Sequence, residues 1–508
     1  MKQKYSWHFI FLIKFLLSKE TDNNKAYLFN LLKKLIGNMQ SKSVGLDFCI
    51  ETDIPINEII SDELDIFRYL EPPYFILIRV NYITNPHENE DITLVRLKDT
   101  ELFVQLLDLK SSETLADQED LSNIFSRIVH NVQSDYTSIV TWDHGSGYSI
   151  FSEPVPEKSA RYSYIKSYGD FNMKKKVRSK DKVGQSDNEL AFLKFRQFKQ
   201  FEKSLINDNK IIDSSDRIGF FDTSIENIPP ILTMDELAFA INSICKKRGK
   251  VDVLIMLNCF MQNMDTLFAL KNSVNYLIAS PTIVVTELFD FYKVIPMVAN
   301  TSNLLPVQLC EIIMDSLKGN SFLNDIGYSK KISVFTVNLE ALLNANFFGL
   351  FKDISHLLFN HAKENSFLEL IKAYSSEMNY LPLIDDEITD FQTFYFIDGL
   401  YFFKTLAHFS QLSQIHIAKI QKFIEVYDEF SGKKNETINH IGEMAANEGF
   451  NSSGFSLFFP FEKSHFEDCN YIKYFYNEFE GNPVLSAIAK HTMWDNFLFL
   501  YFKFLDEN

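Results

Sequence analysis

Short, almost uninterrupted apolar runs recur along the first half of the chain and restrict the folds available to it. Clear examples are residues 7–13, Tyr74–Val80, residues 136–142 and Val251–Leu257. A strand that is covered on both faces is built almost entirely from apolar residues, because neither face meets water. Helical patterns separate most of these runs, and this alternation is typical of a parallel sheet with crossover helices. The sequence therefore predicts an α/β fold with a central, mostly parallel sheet flanked by helices.

Helix start signals support this interpretation. One amphipathic helix, preceded by an aspartate cap at residue 117 or 120, is predicted by five apolar residues on one face: Leu121, Ile124, Phe125, Ile128 and Val129. Thr233 and Glu236 form a capping box for a second helix, which leads into Val251–Leu257. A helix is predicted over residues 265–273. It is followed by a predicted strand over residues 276–279, which would extend the same sheet. Two more strands are expected at residues 44–50 and 92–97, the latter in a hairpin with Tyr74–Val80.

The pattern changes twice along the chain, and these changes predict its domain organisation. Residues from about 152 to 215 are polar and include a basic stretch from Lys174 to Lys182, so a flexible, solvated insertion is expected there. Beyond residue 300, helices are predicted at residues 304–317, 339–362, 367–374, 391–409 and 415–430, with strands at 332–337 and 454–459. We therefore expect a sheet domain over residues 1–300 and a mostly helical region over residues 301–508 that packs against it.

Composition excludes several classes of function. A net charge of −17 argues against general nucleic-acid binding, which needs a basic surface. Five cysteines without a Cys-x-x-Cys pair argue against a structural zinc site or a disulfide framework, and no metal site is predicted. No apolar run reaches about 18 residues, so no integral membrane segment is expected. The start of the chain imitates a signal peptide, but Lys14 interrupts its apolar run and no cleavage site follows, so a first core strand is favoured. The location, cytoplasmic or secreted, stays open.

Two reactive residues end two of the predicted strands. His144 follows the strand at residues 136–142, and Cys259 follows Val251–Leu257. The carboxyl ends of neighbouring parallel strands meet at the crevice where ligands bind, so these side chains are expected at one site. A thiol is mostly protonated at neutral pH, and an adjacent imidazole can accept its proton during nucleophilic attack.

Two glycines accompany His144. Gly145 and Gly147 would let the backbone turn sharply and bring the Gly145 N–H towards a substrate carbonyl oxygen. The backbone N–H groups of Gly145 and Cys259 are therefore candidates for an oxyanion hole. Taken separately, Cys259 also fits a small buried hydrophobic residue and His144 a turn residue. Asp143, beside the histidine, is interpreted as structural.

The segment Trp142-Asp143-His144-Gly145-Ser146-Gly147-Tyr148 resembles the Trp-x-His-Gly-Ser-Gly-Trp signature of clostripain-like cysteine peptidases, caspase-fold enzymes related to gingipain, legumain and separase. Met256-Leu257-Asn258-Cys259-Phe260-Met261 is similar to their Phe-Asp-Ala-Cys-Leu-Met block. Residues 22–24, 232–237, 276–280 and 454–460 resemble further family segments, so the resemblance covers most of residues 5–505. It implies a caspase-like fold and a protein or peptide substrate cleaved through an acyl-enzyme, with Cys259 as nucleophile and His144 as general base. In this family the Cys-His pair acts largely as a dyad, so no third orienting residue is assigned, and no cofactor is predicted.

The chain departs from the family at the residues that would select the substrate. The family's preference for Arg or Lys before the scissile bond depends on acidic residues, one of them two positions before the nucleophile. Here the candidate S1 residues are uncharged: Leu257, Ser280, Pro281 and Thr282. A buried guanidinium without a partner is costly, so a shift towards apolar or neutral side chains is expected. Glu287 or Asp290 is a less favoured replacement for the missing acids.

The resemblance leaves activation and activity open. Family members are commonly cut in the loop after the histidine, so another protease acting on residues 154–215 is a possible partner. Calcium dependence is implied by the resemblance alone, since clostripain depends on calcium but this sequence has no Asp-rich calcium loop. An active endopeptidase is favoured over a degenerate binding or scaffold protein and over a different thiol chemistry such as acyl transfer.

Overall fold

A computed structural model of the chain describes residues 3–15, 33–35, 43–52, 60, 74–80, 93–97, 103–110, 113–130, 132–143, 145, 147, 149–152, 231–282, 284, 289–318, 333–375, 396–430, 454–461 and 486–507. The strands in these residues are β1 (Gln3–Phe15), β2 (Val44–Thr52), β3 (Tyr74–Val80), β4 (Leu94–Arg96), β5 (Phe103–Lys110), β6 (Val132–Trp142), β7 (Ser149–Ser152), β8 (Ile231–Thr233), β9 (Val251–Leu257), β10 (Val274–Ala279), β11 (Phe335–Asn338), β12 (Phe396–Asp398) and β13 (Ser456–Phe458).

Nine of these strands form one sheet in the order β11-β10-β9-β6-β1-β2-β3-β5-β4. The five strands from β10 to β2 run parallel to one another. Antiparallel pairs extend the sheet at both edges. This arrangement confirms the predicted α/β fold with a parallel centre.

Helices cover both faces of the sheet. Within the described residues they are α1 (Gln118–His130), α2 (Met234–Arg248), α3 (Met264–Leu270), α4 (Phe291–Asn300), α5 (Pro306–Lys318), α6 (Leu339–Asn344), α7 (Phe347–His361), α8 (Asn365–Ser375), α9 (Gly399–Leu406), α10 (Gln414–Phe430), α11 (Ala487–His491) and α12 (Trp494–Glu507). Strand β1 separates the two sides of the core, because its side chains alternate between faces. Ile10 and Leu12 pack in one cluster with α1 and α2, whereas Phe9, Phe11 and Ile13 pack with α4 and α5.

The predicted helix signals are present in the structure. The five apolar residues predicted to share a face of α1 are all buried. At the start of α2, Glu236 N donates to Thr233 Oγ1 at 3.3 Å and Thr233 N donates to Glu236 Oε2 at 2.9 Å. This reciprocal pair is the predicted capping box, and it satisfies two amides that the helix itself leaves without partners.

A buried polar network joins four side chains near the amino ends of β6 and β9, away from Cys259. Arg79 Nε and Nη2 donate to the two oxygens of Asp47 at 2.7 and 2.6 Å, and His8 Nε2 lies 3.0 Å from Asp47 Oδ2. Arg248 Nη1 lies 3.1 Å from His8 Nδ1. Because a guanidinium only donates, Nδ1 is the acceptor and Nε2 carries the hydrogen, so His8 is neutral in this arrangement.

Some sequence predictions were wrong. The strand predicted at residues 92–97 does not pair with β3, since β5 lies between them and pairs with both β3 and β4. Strand β5 escaped prediction because Gln105, Asp108 and Lys110 interrupt its apolar pattern. The helix predicted over residues 339–362 is two helices, because Asn346 adopts a left-handed φ of 59° that no α-helix continues through.

The structure also differs from the sequence predictions at residues 291–300 and 391–409. Helix α4 was not predicted, and it contains Pro296, which removes one backbone donor from its interior. Of the helix predicted over residues 391–409, residues 391–395 lie outside the described part. Phe396–Asp398 form strand β12, and only Gly399–Leu406 are assigned to the helix that follows.

The region beyond residue 300 contacts the sheet in several ways. Strand β11 adds an antiparallel edge to β10, and β12 pairs with β13 in a separate two-stranded sheet. Several of the chain's 49 phenylalanines lie in this region. The rings of Phe351, Phe402 and Phe459 surround Trp494, with ring centroids 5.7–6.2 Å from that of Trp494. These aromatic residues belong to the same buried cluster as α1 and α2.

The expected insertion falls outside the described residues beyond residue 152. The strands on either side of it, β7 and β8, pair antiparallel, with Ser149 opposite Thr233. No helix in the described ranges is both long enough and apolar enough to cross a membrane.

Candidate active site

Cys259 follows β9 at the same edge of the sheet where β6 ends. In the parallel pairing of these strands, Trp142 lies opposite Leu257, so residues after 142 and after 257 leave the sheet side by side. His144, the predicted base, lies outside the described residues. Its neighbours Asp143 and Gly145 are described, and both contact the segment that contains Cys259.

Asn258 makes the first of these contacts. Its side chain is fully buried, and its Nδ2 donates to the carbonyl oxygen of Asp143 at 2.9 Å. Its Oδ1 accepts from Thr141 Oγ1 at 2.5 Å. One amide therefore ties the end of β6, and the first residue after it, to the residue before Cys259. The sequence offered only a weak signal for this role, namely a polar residue at the end of a buried strand.

Gly145 makes the second contact. A Cβ atom on Gly145 would lie 2.3 Å from the Cys259 carbonyl oxygen and 2.9 Å from the Cys259 nitrogen. Real side chains do not approach backbone atoms so closely, so the position fits only glycine. The backbone of Gly145 is thus packed directly on the backbone of Cys259.

The turn after Cys259 has an unusual backbone conformation. Phe260 has a φ of 64°, in the left-handed region that non-glycine residues rarely adopt. Phe260 N donates to Thr282 O and Gln262 N donates to Ser280 O, both at 2.8 Å. These bonds fasten the turn to the segment that follows β10. Strained residues of this kind cluster at functional sites, where the surroundings hold them in place.

Asn263 forms hydrogen bonds with the loop after β6 and with the turn after β9. Its Nδ2 donates to Phe260 O at 2.8 Å and also to Gly147 O, and its Oδ1 accepts from Thr266 N at 2.9 Å as the N-cap of α3. Asn263 is buried, and sequence reasoning missed its role. Its one signal was an amide residue directly before a helical pattern.

The Cys259 thiol is half-buried and is bonded to the backbone of Val284. Val284 N donates to Sγ at 3.3 Å, and Sγ lies 3.7 Å from Val284 O. Burial raises the pKa of the thiol to about 11, while the Val284 N–H acts in the opposite direction. The thiol is therefore protonated at neutral pH and needs a base to become nucleophilic.

The candidate S1 residues precede Cys259 or lie in the segment bonded to the turn after it, and all four are buried. Leu257 is 4% exposed and shares a cluster with Val284 and Phe289, on which Cys259 also packs. Pro281 is buried. Ser280 and Thr282 are fully buried, and their hydroxyl oxygens lie 3.1 Å apart.

Asp290 and Glu287 were the acidic residues considered as replacements for the missing S1 acids. Asp290 forms an ion pair with Lys293 at 2.5 Å. Glu287 lies outside the described residues. Among the residues that the structure describes, no group of three or more His, Cys, Asp and Glu side chains is arranged to hold a metal ion. The expectation about calcium stays a prediction.

Comparison with models of known protein families identifies one family. The model of the clostripain family, peptidase family C11, matches residues 204–501. A search of curated proteins found no match.

Solved structures with similarity include a secreted C11 cysteine protease from Bacteroides thetaiotaomicron in complex with an irreversible peptide inhibitor. It is 13% identical, with a TM-score of 0.45, over 90% of this chain and 93% of that one. An inactive zymogen C11 protease from Parabacteroides distasonis is 12% identical, with a TM-score of 0.42, over 92% and 98% of the two chains. The family match alone spans more than half of the 508 residues, so the chain belongs to the clostripain family of cysteine peptidases.

Proposed function

We propose that this peptidase cleaves peptide bonds with Cys259 as nucleophile and His144 as general base. The main support is the contact of Asp143 and Gly145, the two neighbours of His144, with Asn258 and Cys259. Asp143 and Asn258 are 115 positions apart in sequence. They are held together at the ends of two adjacent parallel strands, where α/β sheets bind ligands.

The chemistry follows from the state of the thiol. With a pKa of about 11, Cys259 must lose its proton as it attacks. In the proposed reaction Sγ bonds to the substrate carbonyl carbon while His144 accepts the thiol proton. His144 then gives that proton to the leaving amine as the C–N bond breaks. Water, deprotonated by His144, cleaves the thioester and regenerates the thiol.

We assign the oxyanion hole to the backbone N–H groups of Gly145 and Cys259. The close packing of these two residues supports the assignment, because two backbone amides in one place can donate to the same oxygen. The turn at Phe260 supports it further, since its bond to Thr282 O fixes the peptide that follows Cys259.

For specificity we propose a neutral or apolar side chain at P1. Leu257 occupies the position of a family aspartate and belongs to the same buried apolar cluster as Val284 and Phe289, so a cation placed here would lie against apolar groups. The substrate class is accordingly a protein or peptide without a requirement for Arg or Lys before the cleaved bond. Cleavage of residues 154–215 by another protease belongs to the same proposal, because an enzyme of this specificity would not cut the basic stretch itself.

Irreversible labelling tests the proposal. Peptidyl acyloxymethyl ketones that differ only in P1, Leu against Arg, are incubated with the wild type and with the Cys259→Ala and His144→Ala variants. We expect labelling of the wild type with a preference for P1 Leu, none of Cys259→Ala, and strongly slowed labelling of His144→Ala. A wild type that stays unlabelled both intact and after limited proteolysis within residues 154–215 would overturn the proposed activity, and a preference for P1 Arg would overturn the proposed specificity alone.

A further inference from the structure

One aromatic ring from the C-terminal region touches both loops of the candidate site. Phe396, in β12, is 3% exposed, and its ring lies parallel to that of Phe260, with centroids 6.4 Å apart and an interplanar angle of 10°. On the other loop, a Cβ atom at Gly147 would lie 2.5 Å from Phe396 Cζ and 2.7 Å from Cε2. A single side chain therefore packs on residues that follow β6 and β9 respectively.

Both residues that Phe396 touches have a left-handed backbone. Phe260 has a φ of 64° and Gly147 a φ of 83°. Such conformations are unfavourable for Phe and entropically costly for Gly, so they persist where the surroundings hold them. Asn263 binds the carbonyl oxygens of the same two residues from the side of α3. The two loop residues are thus held by the amide of Asn263 and by the ring of Phe396.

The strand that holds Phe396 is itself anchored to the turn after Cys259. Its partner strand β13 places Phe458 opposite Phe396, and the two rings meet edge to face with centroids 6.1 Å apart. Ser456 N, in the same strand, donates to Gln262 O at 2.9 Å. Asn263 and Ser456 form an isolated parallel bridge. The two-stranded sheet is therefore docked directly on the segment that contains the nucleophile.

We propose that Phe396 is a positioning residue for the peptidase reaction: its ring fixes the loop after β6 against the turn after β9. The region beyond residue 300 then takes part in catalysis indirectly, by setting the distance between the two loops. This inference rests on the proposed function for its kinetic consequence. A misplacement of about 1 Å between reacting groups can cost on the order of a hundredfold in rate.

The substitution Phe396→Leu tests the proposal, with Phe402→Leu as the matched control. Phe402 is fully buried in α9 and packs on Phe459 and Trp494, so it loses the same ring in the same region. Hydrogen exchange, followed by mass spectrometry of peptides that cover residues 143–152 and 257–264, measures the order of the two loops. We expect faster exchange in both peptides for Phe396→Leu and unchanged exchange there for Phe402→Leu.

The kinetic arm uses the P1 Leu ketone at a temperature at which both variants are folded. We expect Phe396→Leu to label at least about tenfold more slowly, through the maximal rate rather than the half-saturating concentration, and Phe402→Leu to label like the wild type. The proposal is overturned by unchanged exchange in Phe396→Leu, by unchanged labelling, or by equal effects of both variants. If the wild type does not react with the ketone, the proposed function fails. The hydrogen-exchange measurement then still tests whether Phe396 orders the two loops.

Discussion

The side-chain amide of Asn258 donates to the carbonyl oxygen of Asp143 at 2.9 Å. Asn258 directly follows β9, and Asp143 directly follows the adjacent parallel strand β6. The similar block of the family, Phe-Asp-Ala-Cys-Leu-Met, has alanine at the position of Asn258, so the chain departs from the family pattern beside its proposed nucleophile. In the structure the residue has a positive role. It orders the backbone directly before His144 relative to the backbone of Cys259, so this departure from the family pattern is compatible with activity.

Substitution of Asn258 by aspartate should separate this role from packing. The variant keeps the shape and the acceptor for Thr141, but it places a carboxylate oxygen against the Asp143 carbonyl oxygen. We expect labelling of Cys259 to slow by roughly tenfold to a hundredfold, because the loop is displaced. We also expect a loss of about 1–3 kcal/mol in the free energy of unfolding, since a buried acceptor loses its donor.

Asn338→Asp is the control for this variant. Asn338 is half-buried, accepts from Ala341 N as a helix cap, and donates to Tyr276 Oη at 3.2 Å. The tyrosine hydroxyl can reverse its hydrogen bond, so this change should leave labelling unaltered. Wild-type labelling rates in Asn258→Asp would contradict the assigned role.

Gly145→Ala should abolish efficient reaction with substrate. The added methyl group would lie 2.3 Å from the Cys259 carbonyl oxygen, and neither backbone can yield without moving the proposed oxyanion donors. We expect the rate of peptide cleavage to fall by about a hundredfold or more. Gly249→Ala is the comparison, because no atom lies within 4 Å of its added Cβ, although its φ of 84° makes alanine strained. That variant should lose stability and keep its cleavage rate, whereas equal cleavage by Gly145→Ala and the wild type would refute the close packing.

Local sequence patterns predicted much of the fold but less of the site. The doubly buried strands were recognisable because they are apolar on both faces, and the α2 cap because Thr233 and Glu236 have the required spacing. Strand β5, next to the edge strand β4, mixes polar and apolar residues and gave no such signal. Asn258, Asn263 and Phe396 act through contacts between segments far apart in sequence. No periodicity encodes such contacts, so the structure was needed to find them.

The pH dependence of alkylation should reveal the base that serves Cys259. Burial raises the pKa of the thiol to about 11, so without a base its reaction with iodoacetamide should increase up to that pH. We expect this single rise in His144→Ala. The wild type should show an additional reactive limb that begins near the ordinary histidine pKa, ~6.5, because imidazole then accepts the thiol proton. Mass spectrometry of the alkylated peptide, with Cys259→Ala as the blank, measures the rates. Identical pH profiles for the wild type and His144→Ala would exclude the histidine as the base.

The buried network of His8, Asp47, Arg79 and Arg248 should make the protein sensitive to acid. Burial lowers the pKa of His8, and although burial alone would raise the pKa of Asp47, His8 and Arg79 hold it below its usual value. At both residues the unfolded chain therefore binds protons more readily than the folded one, so stability is lost as the pH falls. For His8 the loss begins as the pH drops through ~6.5, and for Asp47 it begins below about 3.9.

His8→Gln isolates the first of these two steps. Glutamine does not titrate, yet it can still donate to Asp47 and accept from Arg248, as neutral His8 does. Free energies of unfolding from denaturant titrations at pH 7 and pH 5 should therefore differ less in His8→Gln than in the wild type. The exposed His408→Gln serves as the control and should keep the wild-type difference. If His8→Gln loses as much stability between pH 7 and pH 5 as the wild type does, protonation of His8 is not the cause, and the acid sensitivity must originate elsewhere in the fold.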